Sequence, residues 1–240
     1  VQDASVGVYE VSLQGFYRVQ RGEDAYTMWQ YGQQTCPGHV YVNNHETDVK
    51  CVFSEPVRMD NYIFSNMGTA PESNPSAFID WETGDSVFFP NDMLSASEAF
   101  AAGMYVAKAN GIVAKQGDEL GVKGKKQTAT WVIWDNFKMI YRGKQLTYTI
   151  PYLQEAVEDA YDKLNNPLDK DTRELLEDAL INAENHLGSS DEDAVFDALV
   201  QLYAALESVG TSADLMVQLE QEIAKLDNAI WMYDGQTTDE

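Results

Sequence analysis

Positive charge is scarce in this sequence: 16 Lys and Arg stand against 39 Asp and Glu, for a net charge of −23. Proteins gain affinity for nucleic acid by displacing counterions from phosphate with cationic side chains. This field repels phosphate instead, so DNA and RNA are not expected as partners. Anionic membrane surfaces are disfavoured by the same repulsion. Long apolar runs are missing too: nothing approaches the roughly 18 residues of a transmembrane helix, and no direct membrane span is expected. Histidine occurs only at His39, His45 and His186. A His-centred nucleophilic triad therefore has few candidates, Cys36 or Cys51 with His39 being the combination on paper. His45-Glu46 lacks a second His four residues on, and no G-x-S-x-G, P-loop or G-x-G-x-x-G pattern occurs. No catalytic residue is expected, and the chain reads as noncatalytic.

Cysteine is equally rare, with 14 residues between Cys36 and Cys51. In an exported protein the two could form a disulfide whose loop contributes about 3 kcal/mol, the alternative being two buried thiols. The sequence opens at Val1 without an initiator Met. It is read as a processed, exported product destined for the cell surface, periplasm or extracellular space.

What is present suffices for a globular fold, since 44% of residues are hydrophobic and 11% aromatic. Charge divides the chain sharply. Up to Ile150 there are 17 acidic and 12 basic residues, a net of −5; from Pro151 on there are 22 and 4, a net of −18. The hydrophobic period changes at the same place. Tyr9 to Leu13 and Val49 to Phe53 alternate apolar with polar, as strands with one buried face do. Trp131 to Tyr141 is the strongest such run, with Trp131, Ile133, Phe137, Met139 and Tyr141 on one face and Asn136, Lys138 and Arg142 on the other. Asn43 to Glu46 and Asn66-Met67-Gly68 read as turns. One helix is expected in this half, from Ser95 to Gly103, with a capping box of Ser95 and Glu98.

Beyond Ile150 the spacing is helical. Leu153, Ala156, Ala160 and Leu164 form a stripe echoed by Leu176, Ala179, Ala183 and Leu187, and again by Val195, Ala198, Leu202 and Leu206. A last helix is expected from Ala213 to Met232, with Leu215, Leu219, Ile223, Leu226 and Ile230 as its stripe. Asn166-Pro167, Gly188-Ser189 and Gly210-Thr211 are expected to separate these helices, and connections this short imply antiparallel neighbours.

Several residues offer binding chemistry. Asp80-Trp81-Glu82-Thr83-Gly84-Asp85 puts three carboxylates and an indole in one turn. Asp80, Glu82 and Asp85 could hold a structural calcium, or Asp80 and Trp81 a sugar, against the plain reading of an acidic turn. Trp29 and Tyr31 form an aromatic pair suited to a ligand platform, or to covering one end of the core. Asp135 interrupts an apolar face and would need a partner, for which Arg18 is the candidate. Glu46, Asp48, Asp80, Glu82 and Asp85 are the loop carboxylates from which a glycosidase pair could be drawn, a minority reading.

Leu13 to Arg18, Val40 to Asn43, Phe89 to Met93 leading into Ala96 to Tyr105, and Trp131 to Met139 together resemble a family: the galactose-binding-like, carbohydrate-binding-module-like β-sandwich modules of secreted and surface proteins from gut Gram-negative anaerobes. The resemblance covers Gly7 to Gly143, and the Ala/Leu repeat resembles the small helical modules appended to such proteins. It implies a jelly-roll fold and glycan binding at the cell envelope, and supplies no catalytic residue. Such modules begin with strands upstream of Gly7, so the sandwich is expected to lack its first strands. The expected architecture is an all-β jelly-roll sandwich over 1–147 plus a separate all-α antiparallel bundle of three to four helices over 151–235. The expected partner is a glycan, bound by Trp29, Tyr31, Asp80 and Trp81, or alternatively an envelope protein bound by a structural or adhesive surface protein.

Overall fold

The structure, a computed structural model, describes residues 5–20, 22–65, 77–80, 82–128 and 130–234; the Asn66-Met67-Gly68 turn lies outside them. The protein contains both sheets and helices. It divides into two compact units, 1–143 and 144–240. The ends expected at 147 and 151 both fall inside the first helix of the second unit.

In chain order the first unit comprises β1 (Gly7–Val19), α1 (Gly22–Gln30), β2 (Gly38–Val42), β3 (His45–Asp48), β4 (Lys50–Cys51), β5 (Val57–Arg58), β6 (Ala77–Ile79), β7 (Ser86–Phe88), α2 (Met93–Ala101), β8 (Val106–Val113), β9 (Leu120–Gly124) and β10 (Thr130–Gly143). The main sheet is organised about β1, which pairs antiparallel with β10 along one edge. On its other edge β8 runs antiparallel from Gly7 to Gln14, and β4 runs parallel at Phe16 and Tyr17. The handover falls at Gly15, whose amide donates to the Tyr105 carbonyl at 2.9 Å. A Cβ at Gly15 would stand 2.9 Å from the Ile133 carbonyl oxygen, so the close backbone approach needs glycine.

Alternation along β1 serves two cores. Tyr9, Val11 and Leu13 face β2, β3 and β9, which form a second sheet in the order β3-β2-β9, and close a small core with Val40, Val42 and Val49. On β8 the residues opposite them are Gly111, Ala109 and Ala107, which are small enough for the second sheet to come near. A Cβ on Gly111 would lie 2.6 Å from that of Val42. The other core is aromatic. Phe16, Tyr26, Phe53, Phe78, Phe89, Phe100 and Tyr105 are buried there beside the third sheet, ordered β5-β7-β6. Val49 to Phe53 is therefore not one strand. Val49 fills the first core, β4 is two residues long, and Val52 and Phe53 enter the second core on a 3₁₀ turn.

β10 departs from plain alternation. Ser12 stands opposite Lys138 but Gln14 stands opposite Asp135, so β10 carries one extra residue, a bulge at Asn136–Phe137 with Asn136 at φ +54°. The bulge switches faces: Trp131 and Ile133 lie with Phe16 and Arg18, while Met139 and Tyr141 lie with Val11 and Tyr9. The single apolar face expected across Trp131 to Tyr141 is therefore two half-faces. Asp135 is exposed and accepts the Asn136 amide at 2.7 Å. Arg18 is four register positions away, at about 3.3 Å each. It donates to Asn91 Oδ1 at 2.6 Å and stacks on Trp131 at 5.0 Å, so the expected Arg18–Asp135 pair does not form.

Two helices flank these sheets. α1 was not foreseen, although Ala25, Tyr26 and Trp29 sit at helical spacing. α2 begins two residues before the expected start, because Asp92 rather than Ser95 is its N-cap. The Asp92 carboxylate accepts the Ser95 amide at 2.8 Å, and Ser95 Oγ accepts the Asp92 amide at 3.2 Å.

The second unit comprises α3 (Leu146–Leu164), α4 (Lys170–His186) and α5 (Glu192–Asp234). α3 starts before Pro151, which sits on its exposed side within the second turn. Asp169 caps α4 by accepting the Thr172 amide at 2.9 Å. The three predicted stripes are buried or half-buried, as Leu153, Leu176 and Leu202 at zero exposure illustrate. The break expected at Gly210-Thr211 is absent: α5 runs through it, a glycine in a helix costing only about 1 kcal/mol against Ala. Among the described residues the unit thus has three helices, and Leu219, Ile223 and Leu226 are exposed on the continuation.

Two side chains should report on the integrity of the first unit. Glu10 on β1 binds Lys108 of β8 and Arg142 of β10, both at 2.8 Å, tying three strands together. Burial alone would raise its pKa, but these two partners outweigh burial and hold the carboxyl below its usual 4.5. A depressed carboxylate stabilises the fold above the unfolded-state pKa and loses that contribution as pH falls through the folded value. Glu10→Gln is accordingly expected to cost about 1–3 kcal/mol at pH 7 in urea denaturation, with the difference from wild type shrinking as pH drops below 4.5. Tyr105, fully buried at φ +58°, donates its hydroxyl to the Val52 carbonyl at 2.8 Å. Tyr105→Phe should leave that carbonyl short of a donor and cost about 1–2 kcal/mol by the same measurement.

Candidate functional site

A cleft of about 280 Å³ opens on the first unit, between α1 and the strands β6 and β7. Glu23, Tyr26 and Thr27 line it from α1, Phe78 and Ile79 from β6, and Ser86 from β7. Helix periodicity explains the α1 contribution, since Glu23 and Thr27 lie one turn apart on the same side. Tyr31 continues that side. Its amide donates to the Thr27 carbonyl at 3.1 Å, and the residue is 64% exposed. The cleft thus combines buried aromatic rings, Tyr26 and Phe78, with a rim of two hydroxyls and one carboxylate. Burial first, and the charge of Asp80 second, push the Tyr26 phenol above its ordinary pKa, so it stays a donor.

The aromatic pair read from the sequence is split by this geometry. Trp29 turns inward, its ring 5.8 Å from Tyr26 in a stacked arrangement and 6.0 Å from Phe53, and covers the end of the aromatic core. Tyr31 turns outward. Tyr26, Thr27 and Ser86 were missed as site residues because nothing in a single sequence brings α1 against β6 and β7. The helical spacing of Glu23, Thr27 and Tyr31 was the one available signal.

The acidic turn joining β6 to β7 is built for structure. Asp80 Oδ1 accepts the amides of Glu82 at 3.0 Å and Thr83 at 3.4 Å, and Oδ2 accepts from Arg58 at 2.8 Å. Arg58 also reaches Asp85 at 3.2 Å. The Glu82 amide foremost, then Thr83 and Arg58 against a desolvation penalty, hold the Asp80 carboxyl below its ordinary pKa. Both oxygens of Asp80 are engaged in holding the turn. A calcium ion among Asp80, Glu82 and Asp85 would have to sit against the Arg58 guanidinium, and the arrangement does not fit one. Trp81 lies outside the described residues.

The two cysteines are free thiols, not the expected disulfide. Cys36 Sγ donates to the Gly38 carbonyl at 2.9 Å and the Val49 carbonyl at 3.3 Å, and Cys51 Sγ to Gln34 Oε1 at 3.3 Å. Each thiol is thereby directed to its own oxygen acceptor. Ligand-type atoms of Cys36, His39 and Asp48 lie within 4.8 Å of one another, with His39 Nδ1 and Asp48 Oδ1 at 2.8 Å. Cys-His-Asp is a set used both by nucleophilic enzymes and by zinc sites. Both uses require a thiolate. Burial raises the Cys36 pKa and pushes Cys51 up to about 12, which disfavours the thiolate there; a bound zinc would itself displace the Cys36 proton.

Comparison with family models, curated proteins and solved structures returns no significant match. What the cleft does must therefore be argued from its own chemistry. Among its described lining residues Glu23 is the one carboxylate, where glycoside hydrolysis uses two across the scissile bond.

Thiol chemistry gives a direct check. In the native chain at pH 7.5, alkylation of Cys36 and Cys51 should be slow, Cys51 the slower, while both react promptly in denaturant, as followed by mass spectrometry. Absence of reactive thiols in denaturant without reductant would contradict the bonding described.

Proposed function

We propose that the first unit is a noncatalytic module that binds a neutral saccharide in the cleft between α1 and the β6–β7 hairpin. The reading extends to an exported envelope or secreted protein, in which the helical unit serves as a spacer or interaction module. The finer descriptions, a jelly-roll sandwich and an antiparallel helical bundle, belong to the same proposal. The observation that carries it is the pairing, in one concavity, of the Tyr26 and Phe78 rings with Glu23, Thr27 and Ser86. A pyranose offers an apolar C–H face for rings and a rim of hydroxyls for oxygen acceptors and donors, and this lining matches both. Tyr31, exposed one turn beyond Thr27 though not itself part of the lining, would stack on a second residue of an oligosaccharide.

A second reading, a structural or adhesive protein that binds protein rather than sugar, is favoured by a separate observation: large apolar side chains are exposed along β10.

A glycan array with the full chain, followed by calorimetry on any hit, decides between them. A monosaccharide of about a dozen heavy atoms at about 0.3 kcal/mol each predicts a Kd on the order of millimolar, tighter for oligosaccharides. Glu23→Ala should weaken binding about tenfold, and Tyr31→Ala should weaken an oligosaccharide more than a monosaccharide. No binding at millimolar sugar, or binding indifferent to both substitutions, would remove the saccharide reading. Release of reducing ends would replace it with hydrolysis.

A further inference from the structure

β10 is an edge of the main sheet. Its inner side pairs with β1, and among the described residues no strand pairs with its outer side. Trp134, Phe137, Met139 and Tyr141 are 49%, 46%, 45% and 49% exposed along it. A long apolar edge of this kind is a template for another strand.

The bulge restricts which strand fits. Residues directly opposite each other in an antiparallel pair point to the same face of the sheet. A regular strand meeting its own copy about a twofold axis can therefore place a residue only opposite others of its own alternation class. The extra residue at Asn136–Phe137 changes this by setting Asp135 and Lys138 on one face, and Trp134 and Met139 on the other. The register that brings Asp135 opposite Lys138 of a second copy then matches faces from Val132 to Tyr141. Trp134 meets Met139, Ile133 meets Ile140, and Val132 meets Tyr141, each pair occurring twice by symmetry. Asp135 and Lys138 are both exposed, and neither has an ion-pair partner among the described residues. Their charges are complementary in this register and in no other that keeps the faces aligned about the bulge.

We propose that two copies of this chain associate through antiparallel β10–β10 pairing about a twofold axis at the Asn136–Phe137 bulge, so that the main sheet continues across the interface. Opposite charges placed directly across the strands fix the register, and the alternating apolar pairs supply the buried surface.

Sedimentation equilibrium on the full chain should give twice the 26.9 kDa chain mass. Lys138→Asp and Asp135→Lys each set like charges opposite one another and should weaken dimerisation about tenfold or more. The double exchange Asp135→Lys/Lys138→Asp should restore it. Independently of charge, Phe137→Cys lies beside its own copy at the axis and should form a covalent dimer under mild oxidation, whereas Tyr31→Cys should not. A monomeric wild type at the highest concentration the chain tolerates overturns the proposal. So does a dimer that both single reversals leave intact, or a Phe137→Cys chain that stays monomeric on oxidation.

Discussion

The fold of the first unit rests on one strand being paired along both of its edges. β1 takes β10 on one side and β8 followed by β4 on the other, and its two faces close two different cores. Central strands of this sort leave few backbone groups to water, and each of their residues is judged twice, by pairing and by packing. Two features on β1 follow from that constraint. Gly15 allows the backbone of Tyr105 to reach the strand where β8 ends. Glu10, on a side of the sheet largely free of the small core, draws in cations from both neighbouring strands.

The candidate cleft depends on this frame only indirectly. α1 follows β1, and its ring of Tyr26 is clamped among Phe53, Phe78 and Phe89. The hairpin of β6 and β7 is held by its own polar turn, with Arg58 spanning Asp80 and Asp85. Arg58, Asp80 and Asp85 are thus engaged in shaping the hairpin, and what remains open beside it is aromatic and hydroxylic, with the Glu23 carboxylate on its rim.

Local patterns were legible in the sequence and their interruptions were not. Tyr9, Val11 and Leu13 alternate and do share one buried face; the Leu and Ala stripes of α3, α4 and α5 are buried or half-buried as spaced. The bulge at Asn136 left no mark, because Asn in a strand is as compatible with an exposed position as with a left-handed one. From that one unseen residue came the single face expected for Trp131 to Tyr141; the Arg18–Asp135 pair failed on register instead, Asp135 lying opposite Gln14. Gly210 misled in the opposite direction: a residue that usually ends helices was overridden by the helix continuing around it. The cleft was hidden because its residues come from three separate elements; of the aromatic pair read from the sequence, Tyr31 is exposed and Trp29 packs on the aromatic core.

The bulge also sets how this strand can change length. On either side of Asn136, β10 serves opposite faces, so its two halves are out of step by one residue. Deleting the extra residue would not loosen a single contact; it would turn one half of the strand over, taking Trp131 and Ile133 away from Phe16, or Met139 and Tyr141 away from Val11 and Tyr9. Insertions and deletions within either half are tolerable in pairs and not singly. The spacing between the Arg18-facing and Tyr9-facing ends of β10 is therefore fixed in parity even where individual side chains are free to vary.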